Sequence, residues 1–320
     1  MGRLVQSLRA DETDAIEMYM GMKVYLRSQK DILYFKKSRI GLILGTGWSN
    51  PDVLKDQGFI CEKEIRFDLV GFPSKSGSGH PNSFKFGTWH GKDVVISCGR
   101  FHLFQEQGRF GHDSLIRQWM TWLITFMSGS KQLVITSAVG GLSNGTEDLF
   151  IMPDKIVSAH LPMPYLIGSE GEFVMSEHLL WSSCPGPVAD HPKFCRHQRE
   201  DVLWNAAEEN SLGRYKTGMH YVVPGPGFGG ATERKLWRSW GCDTVGMSLD
   251  PELRLIALEN LDNRPQGVFG AYHETDIRVF PTLFVSDAHD MPNNDEIQAR
   301  AKAMAPKLGK FLSHVVKAEW

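Results

Sequence analysis

What most constrains this chain is a recurring unit: a short apolar run that stops at a glycine or polar cluster. Residues 40–44 (Ile-Gly-Leu-Ile-Leu) stop at Gly45-Thr46-Gly47, residues 94–97 at Cys98-Gly99-Arg100, and residues 133–136 at Ser137-Ala138-Val139-Gly140-Gly141. Residues 221–223 stop at Pro224-Gly-Pro-Gly-Phe-Gly-Gly230, and residues 279–285 at Ser286-Asp287. Runs of this length suit strands buried on both faces, as in a parallel sheet. Between them, residues 114–127, 232–240, 251–260 and 295–316 read as helices. Strands alternating with helices predict an α/β fold with a mixed, mainly parallel sheet flanked by helices. Ligands of such sheets bind beyond the carboxyl ends of the strands, where these glycine and polar clusters fall.

Residues 1–38 read as a helical arm, with Ile16, Tyr19, Met20 and Val24 on a partly periodic apolar stripe and Met22 and Tyr25 off it. Residues 169–201 lack clear periodicity and read as loops and short helices. No linker or repeat divides the remainder, so residues 39–320 are expected to form one domain. A net charge of −2 gives no case for nucleic acid or a membrane surface as partner. Five scattered cysteines form no C-x-x-C pair, which predicts bystander thiols rather than a metal or redox site. No apolar run nears the ~20 residues of a membrane helix, and no signal-peptide core is present, so a cytoplasmic protein is expected.

Three clusters could carry chemistry. Gly45-Thr46-Gly47 is either a tight turn or a phosphate cradle of backbone N–H groups plus the Thr46 hydroxyl. It is a poor dinucleotide fingerprint, because Asn50 stands where a third glycine belongs, and no clear ribose-binding acid follows. That disfavours a nicotinamide dehydrogenase. Arg100 and His102, two apart past a strand, project from the same side and can both donate to an anion. Val245-Gly246-Met247-Ser248 combines close backbone approach, an apolar floor and a hydroxyl, although core packing alone would also explain it.

In order and rough spacing, GTG, GRFH, TSAVGGL, PGPGF and VGMS resemble the trimeric purine nucleoside phosphorylases, from Ile40 to the C-terminal helix. The resemblance implies a one-domain α/β homotrimer that cleaves the N-glycosidic bond of purine nucleosides with inorganic phosphate as co-substrate. No metal or organic cofactor would be needed. It assigns phosphate to Thr46, His80, Arg100, His102, Ser248 and the backbone of Ala138. It assigns the nucleoside to Phe104, Val139, Gly140, Val245, Gly246, Met247 and Phe228, with Phe173 as the aromatic donated by a neighbouring subunit. Arg100, His102 and Asp287 would be the catalytic groups. The chemistry asks for such groups in any case. Cleavage builds positive charge on the sugar and negative charge on the base, so a fixed phosphate and a donor near the imidazole nitrogen both lower the barrier.

The base end departs from that pattern. Where 6-oxopurine-specific members carry a glutamate after the loop phenylalanine, this chain has Gly229. Where the family has Thr-Asn, this chain has Ser286-Asp287, which resembles the methylthioadenosine phosphorylase branch. An ionised aspartate accepts from a 6-amino group; protonated, it could donate to the leaving nitrogen. Asn294 stands where a histidine usually meets the sugar 5′-hydroxyl. The expected preference is for 6-amino purines. The alternatives are a 6-oxopurine phosphorylase and a catalytically silent nucleoside-binding protein.

Overall fold

The computed structural model describes residues 37–67, 81–100, 102, 121, 124, 128–142, 150–157, 196–210, 215–225, 227–250, 252–253, 256, 277–287 and 294–318. The helical arm therefore lies outside the described residues, except for Lys37 and Ser38, which are not helical. Strands are β1 (Ile40–Leu44), β2 (Ile60–Arg66), β3 (Ser83–Trp89), β4 (Lys92–Cys98) and β5 (Gln132–Gly141). They continue with β6 (Phe150–Val157), β7 (Tyr215–Val222), β8 (Thr244–Gly246) and β9 (Arg278–Asp287). The helices are α1 (Pro51–Asp56), α2 (Arg196–Glu209), α3 (Ala231–Ser239) and α4 (Asn294–Lys317).

The strands form one mixed sheet in the order β2-β3-β4-β1-β5-β8-β7-β6-β9, and β9 pairs back onto β5. Strands β5, β8, β7, β6 and β9 thus close into a ring, with β1, β4, β3 and β2 as a wing. Parallel pairs run through the centre, β4–β1–β5–β9 and β6–β7–β8. The closing contacts β5–β8 and β6–β9 are antiparallel. Every residue of β1 is buried, as its continuous apolar run requires. The edge strand β2 is exposed at Glu62, Lys63 and Glu64, and charge on an edge discourages pairing with another chain.

Several expectations held: β1 ends where the sequence predicts, and α3 and α4 each start and end within a residue of theirs. Four strands, β4, β5, β7 and β9, run further than expected, and β7 begins at Tyr215 rather than Tyr221. The glycines at the end of β5 do not make a turn. Gly140 and Gly141 stay in the ladder, opposite Val245 and Thr244 of β8, while β9 lies on the other side with Asp287 opposite Gly140. The ring closes there. Ser286 and Asp287 likewise belong to β9 rather than to a following turn. Within residues 169–201, read as loops and short helices, α2 begins at Arg196 and continues to Glu209; residues 169–195 lie outside the described residues.

The core sits where α1, α2 and α4 meet the sheet, at both the wing and strands β6 and β9 of the ring. Trp48, just past β1, meets Phe150 and Phe311 edge-on at ring-centroid distances of 6.0 and 5.9 Å. A Cβ at Gly47 would lie 2.6 Å from the Ala301 carbonyl of α4, so only glycine lets the turn rest on that helix. Asn50 caps α1, its Oδ1 accepting from the N–H groups of Asp52 and Val53. The Lys92 ammonium donates to the carbonyls of Val316 and Ala318 at the C-terminus of α4, which the helix dipole favours by about 0.3–1 kcal/mol. Turn, helix and strand are thereby locked together beneath the ends of β1 and β4.

Candidate active site

Four strand ends, of β1, β4, β5 and β8, bring the expected phosphate residues together. Arg100 follows β4 and is buried to 1% exposure. Its Nη2 donates to the carbonyls of Ile43 at 3.2 Å and Thr136 at 2.7 Å, joining the end of β1 to the middle of β5. Its Nε lies 3.9 Å from Glu252 Oε1, an ion pair too long to be a hydrogen bond. The guanidinium is thus held rigidly by groups that partly offset its charge.

Ser248 follows β8, and its hydroxyl lies 2.9 Å from that of Ser137 in β5. His102 Nδ1 is 3.4 Å from the Met247 carbonyl, which ties the stretch after β4 to the end of β8. The Gly45 N–H donates to Thr136 Oγ1 at 3.2 Å, which sets the turn holding Thr46 against β5. Thr46, His102 and Ala138 are half-buried, while Arg100 and Ser248 are buried. These five residues therefore gather where β1, β4, β5 and β8 adjoin. His80 lies outside the described residues.

Sequence reasoning passed over Glu252. One of its oxygens faces Arg100, and the other accepts the Leu249 N–H at 2.9 Å. Leu249 has φ +90°, a strained backbone for a branched residue that costs on the order of 1–3 kcal/mol. A single carboxylate thus fixes both the arginine and the strained residue after Ser248. An acidic residue three beyond that stretch, at the start of a helical run, was the available signal. Ser137 was also missed, although it lies within the quoted TSAVGGL run.

The nucleoside half is built differently. Val139, Val245 and Met247 are buried, and Ser286 Oγ donates to the Val139 carbonyl at 3.3 Å. Phe228 is half-buried and packs on a small core of Leu142, Tyr221, Val223, Trp237, Val245 and Met247. Trp237 stacks on Tyr221 at 4.6 Å. Gly229 has φ +81°, and a Cβ there would stand 2.3 Å from the Trp237 ring. The space a side chain at 229 would need is filled by the indole.

Gly246 is equally tight, because a Cβ would come within 2.9 Å of His220. His220 lies fully buried in β7 with Nδ1 2.9 Å from Thr244 Oγ1, and burial pushes its pKa down to about 3. Phe104 and Phe173 lie outside the described residues, as do the side chains of Asp287 and Asn294. The backbone of Asp287 ends β9 opposite Gly140, and Asn294 opens α4.

Cys98 and Cys242 are buried, and burial pushes their thiols up to about 12 and about 11; both are inert packing residues, as expected. Among the described residues, no group of three or more His, Cys, Asp and Glu side chains could hold a metal ion. No helix among them is long and apolar enough to cross a membrane.

Comparison with known proteins agrees with this architecture. The family model of the phosphorylase superfamily matches residues 39–259. The purine nucleoside phosphorylase of Bos taurus is 25% identical over 77% of this chain and 78% of its own length. The S-methyl-5′-thioadenosine phosphorylase of Anopheles gambiae is 31% identical over 68% of this chain and 70% of its own. Among solved structures, Schistosoma mansoni purine nucleoside phosphorylase in complex with inosine superposes with a TM-score of 0.65 at 19% identity. That match covers 94% of this chain and 96% of the other and shows a shared fold. The chain belongs to the phosphorylase superfamily, within its purine nucleoside and methylthioadenosine phosphorylase family of pentosyltransferases.

Proposed function

We propose that the chain cleaves the N-glycosidic bond of purine nucleosides with inorganic phosphate, giving free base and ribose 1-phosphate, and prefers 6-amino purines. The observation that carries this reading is the gathering of Arg100, His102 and Ser248 around adjoining strand ends, tied together through Thr136, Met247 and Ser137. Phosphate is held by those three residues with Thr46, His80 and the Ala138 backbone. Immobilised near the anomeric carbon, the dianion stabilises the developing sugar cation and then bonds to it. Met247 and Phe104 pack the sugar, Asn294 meets its 5′ end, and Phe228 faces the base. Phe173 reaches the site from a neighbouring subunit of a homotrimer.

The preference rests on two neighbouring features. Gly229 offers no carboxylate, and Trp237 leaves no room for one. Asp287, opposite Gly140, accepts from a 6-amino group, which a 6-oxo group cannot supply. The test is base release from adenosine, methylthioadenosine, inosine, guanosine and uridine, with and without phosphate, by parent protein and Asp287→Asn. Phosphate-dependent release from the 6-amino members, shifting toward inosine in the variant by about tenfold or more, is expected. Cleavage of inosine by the parent with adenosine untouched would sink the preference and keep the reaction. No phosphate-dependent cleavage of any member would sink both.

A further inference from the structure

Helix α3 carries Arg234 and Arg238 one turn apart, and both reach the end of β5. Arg234 Nη2 donates to the Gly141 carbonyl at 2.7 Å, and Arg238 Nε donates to the Leu142 carbonyl. The two arginines differ in cost. Arg238 is exposed and tethers the helix to the strand without burying charge. Arg234 is fully buried, and taking a guanidinium out of water is expensive even when it is hydrogen-bonded. Tethering alone does not call for it, because the neighbour already does that at the surface.

The location suggests the reason. A Cβ on Gly140 would lie 3.0 Å from Arg234 Nη1 and 3.3 Å from Val245, so the missing side chain is what lets the guanidinium come so close. Gly140 is also where β5 meets both β8, at Val245, and β9, at Asp287. Arg234 Nη1 further reaches the Phe228 carbonyl at 3.4 Å. The cation therefore abuts the end of β5 and the Phe228 carbonyl, two of the backbone segments of the proposed base subsite.

We infer that Arg234 is a positioning residue for the departing base: a fixed positive charge behind that wall, favouring the negative charge that builds on the purine. This rests on the phosphorolysis proposed above. In that step the C1′–N9 bond breaks with its electron pair staying on the base, while a phosphate oxygen bonds to C1′. Arg234 neither gives nor takes a proton, since a guanidinium stays charged at any working pH. It acts through the pocket backbone, as a fixed charge behind the Gly140, Gly141 and Phe228 peptides.

The readout is leaving-group dependence. An N7-methylated nucleoside already carries a positive purine, so its base departs without building negative charge. The better-cleaved of adenosine and inosine should be assayed beside its N7-methyl form with the parent, Arg234→Met and Arg234→Lys. Loss of the charge is expected to lower kcat on the ordinary nucleoside roughly ten- to thirtyfold, with KM little changed. The N7-methyl form should lose about threefold or less, and Arg234→Lys should recover most of the rate.

Equal losses on both nucleosides, or equal losses in the Met and Lys variants, would overturn the inference in favour of a purely structural arginine. So would an unchanged rate in Arg234→Met. If Arg234→Met fails to fold, Arg234→Gln against Arg234→Lys carries the same comparison. Absence of cleavage by the parent would sink the proposed reaction and this role together, an outcome distinct from all of these.

Discussion

The proposed phosphate half and the proposed base half of the site are built on neighbouring strands by opposite means. Around Arg100, small polar residues meet across strand ends, and each hydrogen bond joins two elements: β1 to β4, β5 to β8, and the stretch after β4 to the end of β8. Around Gly229, two glycines have given up their space, one to an indole and one to a guanidinium. In the first half, the side chains assigned to phosphate are held by backbone groups. The second has been refilled with bulk and charge from α3. The two ends still touch, since His102 Nδ1 lies 3.4 Å from the Met247 carbonyl.

The largest expected effect falls on the phosphate half. Truncating Arg100 to alanine would strip donors from two buried carbonyls and leave Glu252 facing no cation, mixing stability with function. Arg100→Lys separates them better. It keeps the charge but loses the planar fork, so kcat/KM for phosphate should fall on the order of 10²–10³-fold while the melting temperature moves by a few degrees. A phosphate titration of initial rates reads this directly. A change under about threefold would mean that the held guanidinium is only a strut, and the contrast between the halves would collapse.

The base half answers to the opposite substitution. Were its glycine merely a lost contact, Gly229→Glu would install a 6-oxopurine reader. The structure argues otherwise, because the new side chain would begin at φ +81° inside the Trp237 ring. The variant should lose roughly 2–4 kcal/mol of stability with no gain in inosine over adenosine. Urea denaturation and the nucleoside panel read the two parts separately. A stable variant that now prefers inosine would show that the indole yields, and that the pocket is open to reversal by one residue.

The same division governs what the sequence made legible. Buried parallel strands announce themselves as unbroken apolar runs, which is why β1, β4, β5, β9 and the last residues of β7 could be read in order. The hairpin β3–β4 was half missed: its turn is His90-Gly91, both at positive φ, and histidine is a weak turn signal there. Closure of the ring was invisible, because Gly140 and Gly141 look like a turn until β8 and β9 lie beside them. Glu252, Trp237 and Arg234 were missed for a common reason. Each matters through what it reaches across the fold, Arg100, Gly229 and Gly140 respectively, and spacing along one helix carries no record of that.

The smallest expected effect concerns the ring that both halves share. His220 sits fully buried in β7 against Gly246, and burial holds its pKa near about 3. In the unfolded chain a histidine titrates near 6.5, so between these values the unfolded state binds a proton that the folded state does not. Stability from this residue is therefore complete above pH 6.5 and drains away as pH falls toward 3. By pH 5 the loss should be about 2 kcal/mol, at ~1.4 kcal/mol per pH unit. His220→Gln removes that titration, so the drop in unfolding free energy between pH 7 and pH 5 should shrink by that amount relative to the parent. An identical drop in both proteins would mean that His220 takes up its proton without unfolding the ring. The packing of His220 on Gly246 would then be softer than its tightness implies, and the base end would yield more readily than the bulk of α3 suggests.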